Sequence, residues 1–299
     1  MTHTPALRPA LTIIGSFARV SAATKVACIC AVLLAAFLSS GPLLAQKGRL
    51  PRAEVVAICE AGDIPTCTNA GAAFVDGRGG PVDLVQGVKY NQMGCEGGNA
   101  AGCANLGILT RDGRGTEADI AEARRLFTIA CNGGIETACN DLGLTWADQA
   151  MAEPDKPAYF VLASKAFAQA CEIGSPEGCS NLATAYYHGN GPEKSYAQAL
   201  IFAEKACKLR NANGCYTAGV MHLRGEGVPQ DFAEWQSYVS FACNLGHGQA
   251  CTNYGYMYLE GQLGVRQDLD KAREYLARGC EGGYPNGCAG LDKLAATGK

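Results

Sequence analysis

Fourteen of the 16 cysteines stand in seven pairs, each with seven residues between its members: Cys59/Cys67, Cys95/Cys103, Cys131/Cys139, Cys171/Cys179, Cys207/Cys215, Cys243/Cys251 and Cys280/Cys288. From the first cysteine of one pair to the first of the next the steps are 36, 36, 40, 36, 36 and 37 residues. A period in that range marks a repeat array, in which each unit packs on its neighbours and the core runs along the axis. The 299 residues are therefore expected to hold one elongated repeat domain, where length alone allows one or two domains.

Residues 1–45 contain Arg8, Arg19 and Lys25 and no acid, and 26–45 form an uncharged, mostly apolar run. This is the make-up of a secretory signal peptide, which would end at Ala45 and leave Gln46 as the mature start. A run of about 20 apolar residues is also long enough for an uncleaved membrane anchor, so both readings stand. Cys28 and Cys30 lie inside the run and read as passengers. The repeat domain is expected over 46–299. Without the three basic residues of the leader, 22 Lys and Arg face 28 acids, a net charge of −6. Nucleic-acid binding calls for a basic face and is disfavoured.

Export delivers a chain to an oxidising compartment, where an even set of regularly spaced cysteines reads as a disulfide framework. Zinc is the rival. Its ligands must converge at about 2.3 Å on one ion, yet the pairs lie a whole repeat apart, no C-x-x-C occurs among them, and His188, His222 and His247 share no repeat position. No metal or other cofactor is expected.

Before each pair lies a stretch of helical periodicity, such as DIAEARRLFTIAC at 119–131 and DLDKAREYLARGC at 268–280, most with Asp or Ser where an N-cap is wanted. We term it helix B. After a Gly-rich connector the second cysteine opens helix A, as in CANLGILTRD at 103–112. Counted from that cysteine, position +4 is Gly71, Gly107, Gly143, Ala183, Gly219 and Gly255, small enough for close helix approach. Position +10 is Gly77, Gly113, Gly189, Gly225 and Gly261, with Gln149 the exception. A Gly just past a helix is the expected left-handed C-cap. Antiparallel helices joined by a short turn pack about 8–10 Å apart, so the two cysteines of each pair can meet across it. A loop of about nine residues gives roughly 2.5 kcal/mol per bridge, which matters because isolated helices this short are marginal.

The 40-residue step falls in the third unit, whose inter-helix connector at 150–157 lacks the Gly-rich turn and carries two prolines. A bulge or longer loop is expected there. At the ends, 51–59 supplies a lone helix B and Cys288 begins a lone helix A finishing near Gly298, with Asp292 and Lys293 on its neighbourless face.

The segments NLGILTRDGRG at 105–115, NLATAYYHGNG at 181–191, AGVMHLRGEGVPQD at 218–231 and NYGYMYLEGQLGVRQD at 253–268 resemble the Sel1-like repeat, a tetratricopeptide-like αα unit. With the cysteine pairs, the chain is similar to the secreted Helicobacter cysteine-rich family. The resemblance implies an all-α, right-handed αα-solenoid with one disulfide per repeat, about six repeats plus terminal half-repeats. It also implies a protein-interaction adaptor, periplasmic or extracellular. Some such relatives carry a penicillin-binding or β-lactamase label, and a mitochondrial relative is linked to haem. A β-lactam-binding or hydrolysing protein is thus the alternative. Yet no serine has a lysine three residues later, as a serine β-lactamase needs, and no catalytic residue is nominated. Seven equivalent pairs argue for structure and against thiol exchange. No His or Met recurs at one repeat position to hold haem.

Binding residues are sought at position +2 of helix A: Asn69, Asn105, Asp141, Asn181, Thr217 and Asn253. A carboxamide both donates and accepts, so Asn69, Asn105, Asn181 and Asn253 along a concave face would pair with successive peptide bonds of an extended protein or peptide ligand. The alternative is that each caps its helix or the connector before it. Tyr186 and Tyr258 at +7 read as packing between units. Trp235, where other units have Ala, either fills a gap or makes a contact of its own.

Overall fold

The computed structural model describes residues 50–296, and among them it shows fourteen helices and no strand. They are α1 (Arg52–Glu60), α2 (Ile64–Asp76), α3 (Leu84–Glu96), α4 (Ala100–Asp112), α5 (Ile120–Asn132), α6 (Glu136–Ala152), α7 (Ala158–Glu172), α8 (Pro176–His188), α9 (Tyr196–Lys208), α10 (Ala212–Arg224), α11 (Phe232–Asn244), α12 (Gly248–Glu260), α13 (Leu269–Glu281) and α14 (Pro285–Ala296). Even numbers are A helices and odd numbers B helices, so units one to six run from α2–α3 to α12–α13. The half-units α1 and α14 close the ends as expected, with Asp292 and Lys293 exposed. The leader expected at 1–45, with Cys28, Cys30 and the cut before Gln46, lies outside the described residues, as does Gly298.

The B helices start where their caps dictate. Asp83, Asp119, Ser195, Asp231 and Asp268 each accept a hydrogen bond from a backbone N–H of the first turn. Five A helices end on the glycine at +10, all with φ between 64° and 78°. The start of helix A needs a correction, because the second cysteine of a pair does not open it. Cys67, Cys103, Cys139, Cys179, Cys215, Cys251 and Cys288 are each the fourth residue of their A helix. The helix begins earlier because the capping residue lies ahead of the cysteine, Asn99 before Cys103 and Asn211 before Cys215 for example. The seven residues between paired cysteines therefore hold a turn of only three, such as 97–99.

All seven disulfides form as paired: Cys59–Cys67, Cys95–Cys103, Cys131–Cys139, Cys171–Cys179, Cys207–Cys215, Cys243–Cys251 and Cys280–Cys288, with Cα–Cα distances of 4.4 to 4.7 Å. Being one turn inside helix A, the second cysteines Cys67, Cys103, Cys139, Cys179, Cys215 and Cys251 are buried, none more than 1% exposed. Sulfurs so enclosed offer no face to a ligand, so these residues staple the fold and do not belong to a surface site.

The glycine at +4 faces the residue four places before the first cysteine of the next pair. A Cβ on Gly107 would meet the Phe127 ring at 2.7 Å, one on Gly143 the Phe167 ring at 2.4 Å, and one on Gly219 or Gly255 would meet Val239 or Leu276 below 3 Å. In unit four both members are alanine: Ala183 and Ala203 share one buried cluster.

The third unit corrects an expectation. Its extra four residues do not make a longer loop: α6 has 17 residues and α7 has 15, against 13 in most helices, and the connector shrinks to 153–157. Losing the glycine at +10 removes the stop signal, so α6 runs on through Gln149. Pro154 and Pro157 follow the extension and do not interrupt it.

Successive A helices touch one another directly, α2 with α4, α6 with α8, α8 with α10 and α12 with α14, while each B helix packs chiefly on the A helices beside it. None of the described helices is long and apolar enough to cross a membrane.

Candidate binding face of the A helices

Each asparagine of the +2 ladder is the sixth residue of its A helix, too far in to cap it. Capping falls to Asn99, Ser175, Asn211 and His247, whose side chains accept from first-turn N–H groups. Three ladder residues instead reach across to another helix. Asn181 donates through Nδ2 to Asn140 Oδ1 at 2.8 Å, and Asn253 to the Tyr216 hydroxyl at 3.0 Å. Both partners follow the second cysteine of the preceding A helix, Cys139 and Cys215. Asn105 donates to Asn91 Oδ1 at 3.1 Å. Asn91 is 0% exposed and donates its own Nδ2 to Gly87 O at 2.8 Å. Asn69 is exposed at the start of the row. Asp141 sits 3.6 Å from Arg111, and burial raises its carboxyl pKa although Arg111 opposes the shift.

Three cavities indent the A row. The first, about 210 Å³ between α2 and α4, contains Asn105 with Asp76 and Arg114. The second, about 480 Å³, lies among α4, α5 and α6. The third, about 200 Å³ between α8 and α10, is walled by Tyr187 and Tyr216 and contains Thr217, the ladder's departure from Asn. Both rings are pinned. The Tyr187 hydroxyl donates to Glu226 at 2.8 Å and accepts from Arg224 at 3.0 Å. Tyr216 accepts from Asn253 and stacks on His247 at 4.5 Å, and burial pushes its phenol pKa up. His247 Nδ1 accepts from Ala250 N at 3.1 Å, which requires that nitrogen to be unprotonated, and burial lowers the imidazole pKa.

Trp235 fills a gap: it is buried with Val239, Ala242, Tyr254 and Met257 where α11 meets α12. Tyr186 stacks on Phe202 at 5.5 Å, and Tyr258 on Tyr275 at 5.8 Å, the packing role expected. His222 is stacked on Tyr238, and neither imidazole nitrogen has a hydrogen-bond partner. Tyr238 donates to Glu204 at 3.2 Å, and burial together with that carboxylate pushes its pKa up to about 12. Sequence reasoning missed Tyr187, Tyr216, Arg111 and Arg124. Their repeat positions vary freely, and only a bulky or charged departure within one unit, the signal that singled out Trp235, could have found them.

A Sel1 repeat model matches residues 65–99, 100–135, 176–211, 212–247 and 248–284, more than half of the chain, and passes over the irregular third unit. No curated protein sequence matches. A protective antigen of uropathogenic Escherichia coli strains with an SLR fold superposes with a TM-score of 0.68 at 24% identity, over 80% of this chain and 50% of its own. A Sel1 repeat protein from Oxalobacter formigenes superposes with a TM-score of 0.62 at 18% identity, over 73% of this chain and 85% of its own. Helicobacter pylori cysteine rich protein B is 25% identical, over 45% of this chain and 93% of its own, with a TM-score of 0.36. This chain spans about half the length of the first of these structures. With five matched repeats, the chain belongs to the Sel1 repeat family.

Proposed function

We propose that this chain is an exported, disulfide-stapled scaffold that binds an extended segment of a partner protein along its A-helix row. Sel1 repeat proteins generally mediate protein–protein interaction. Seven closed disulfides suit an oxidising compartment, as the leader-like residues 1–45 do. The observation that carries the reading is the pair of indentations between neighbouring A helices, one between α2 and α4 and one between α8 and α10, the latter with hydrogen-bonded aromatic walls. Pinned rings lose little freedom on binding, so side chains of an extended partner would dock at low entropic cost.

The ladder asparagines take a changed role. Asn105, Asn181 and Asn253 donate to neighbouring helices, so a ligand would meet carboxamides already held in place, and their removal also harms the seam. Asn105→Ala would leave the Asn91 oxygen buried without a donor, at a cost of about 1–3 kcal/mol. The cleaner test lies in the indentation between α8 and α10. Extended peptides selected for binding to the oxidised protein should lose affinity to Thr184→Arg or Val220→Arg and keep it with Ile201→Arg, on the exposed face of α9. Peptides displaced equally by all three substitutions, or by Ile201→Arg alone, would move the binding face to the B helices.

A further inference from the structure

The second cavity, about 480 Å³, has the capacity of a small-molecule site, and its walls differ in kind from those of the other two. Arg124 lies 3.9 Å over the Trp146 ring, which stacks in turn on Tyr159. Its Nη2 donates to Thr145 O at 2.7 Å, while Nε has no acceptor. Among the described residues Arg124 has no ion-pair partner, whereas Arg111 on the facing wall is bonded twice to Asp112, at 2.7 and 3.3 Å, and approaches Asp141. Arg111 is ion-paired within the fold and Arg124 is not, although the Asp148 carboxylate acts on both from across the cavity.

Two other cations show what a purely structural role looks like. Lys205 and Arg278 reach Cys171 O at 2.8 Å and Cys243 O at 3.0 Å, both in the last turn of a B helix. These last-turn carbonyls also accept a backbone N–H of the following turn, and the helix dipole favours a cation there. The carbonyl under Arg124 is mid-helix in α6, and burial lowers the guanidinium pKa, so this cation is held against a desolvation cost.

The remaining walls are complementary in character. Asp148 faces the cavity with no ion-pair partner among the described residues. Gln149 Oε1 is buried without a donor although Nε2 reaches Glu153. Ile120 and Ala121 make an apolar side, Ile120 being 43% exposed. Gln149 stands where five units have the capping glycine, and the prolonged α6 carries it here, so the cavity is made by residues that depart from the repeat.

We propose that this cavity binds a free α-amino acid, its carboxylate on the Arg124 guanidinium, its ammonium towards Asp148 and an apolar side chain against Ile120 and Ala121. A simple carboxylate would meet Asp148 and a simple amine would meet Arg124. A ligand carrying both charges on one carbon satisfies each wall, and guanidinium and carboxylate are matched in geometry. A peptide separates or blocks these charges, which tells the two sources apart.

The test is calorimetric titration of the oxidised protein with L-leucine, N-acetyl-leucine, leucinamide and the dipeptide leucyl-leucine. Leucine should saturate the site, and blocking either charge should weaken binding about tenfold or more, the worth of one charge-assisted hydrogen bond. Arg124→Gln should abolish binding. Because that change also disturbs the Trp146 stack, Asp148→Asn, at an exposed position, serves as the second variant and should erase the advantage of leucine over N-acetyl-leucine. No saturable binding of leucine in the millimolar range, equal affinity for leucine and its blocked forms, or binding that survives both substitutions would overturn the proposal. A dipeptide that binds as tightly as leucine would also overturn it, in favour of peptide ends.

Discussion

Units two and three share one lock and differ in the turn that follows it. In both, a glycine at +4 admits a phenylalanine from helix B, Gly107 with Phe127 and Gly143 with Phe167, and in both a disulfide ties the pair of helices to the next or the preceding unit. Unit two then turns through two left-handed glycines, Gly113 and Gly115. Unit three has none there, lengthens both helices and closes in five residues. Packing at the lock is thus separable from the geometry of the turn. Beside the departing unit lies a cavity of about 480 Å³, lined by the polar residues Arg111, Arg124, Thr145, Asp148 and Gln149.

The disulfides give the largest expected effect. Cys95→Ala with Cys103→Ala, and Cys131→Ala with Cys139→Ala, remove loops of equal length, so each double substitution should cost up to roughly 2.5 kcal/mol by the loop-entropy argument. Denaturant unfolding of the two variants should give equal losses. A much larger loss for the Cys131–Cys139 pair would mean that unit three, with its irregular turn at 153–157, leans on the bridge at its start, and the separation of lock and turn would fail.

The lock itself comes next. A Cβ on Gly143 would sit 2.4 Å from the Phe167 ring and one on Gly107 2.7 Å from Phe127, so Gly143→Ala and Gly107→Ala should each cost about 1–3 kcal/mol through overpacking. Thermal unfolding of single and double variants checks this: Phe167→Ala placed on Gly143→Ala should cost less than it does alone. Unit four, with Ala183 against Ala203, shows the same space filled by two small residues. A neutral Gly143→Ala beside a costly Gly107→Ala would show that the longer helices of unit three carry slack.

This lock was half legible in the sequence. The cysteine spacing carried the period, the helix pair and all seven bridges, and the small residue at +4 announced close approach, because each is a local rule repeated in register. What a row of repeats cannot display is which residue each small position faces. The partner of Gly71 is Asn91, and that buried carboxamide recruits Asn105, so a residue read as a binding rung is also a core contact. The site was less legible still. Arg124, Tyr187 and Tyr216 are tied to one unit each, and the cavities they line are walled by helices of adjacent units that only the fold brings together.

A smaller effect tests a departure at a cap. Four A helices are capped by a side chain, and only α12 uses histidine, His247, where Asn or Ser serves elsewhere. Burial lowers its pKa from the usual 6.5, so the native state favours the neutral ring that can accept from Ala250 N. The unfolded chain binds the proton more readily, hence stability is complete above about pH 6.5 and is lost as pH falls through the lower native value. The loss should be about 1 kcal/mol, the worth of an N-cap. His247→Asn, a cap that does not titrate, should flatten this part of the pH–stability profile. A profile unchanged by His247→Asn would assign the acid sensitivity to other groups.

The smallest effect concerns the three-residue turn between paired cysteines. Three residues after the first cysteine the chain takes positive φ in every unit, at Gly62, Gly98, Gly134, Gly174, Gly246 and Gly283, and at Arg210 with φ 65°. None of those six glycines has an atom within 4 Å of a would-be Cβ. The cost at Arg210 is therefore conformational and not steric crowding by neighbours, about 1–2 kcal/mol for a residue with a Cβ in the left-handed region. Glycine relieves that strain but gives the unfolded chain more freedom, which takes back about 0.5–1 kcal/mol. Arg210→Gly should thus stabilise the protein by at most about 1 kcal/mol, and Gly134→Arg should destabilise it by a similar amount, both read as shifts in unfolding midpoint. If Arg210→Gly instead lowers the midpoint, the Arg210 side chain contributes a contact that outweighs its backbone, and the turn between units four and five is specialised as the turn of unit three is.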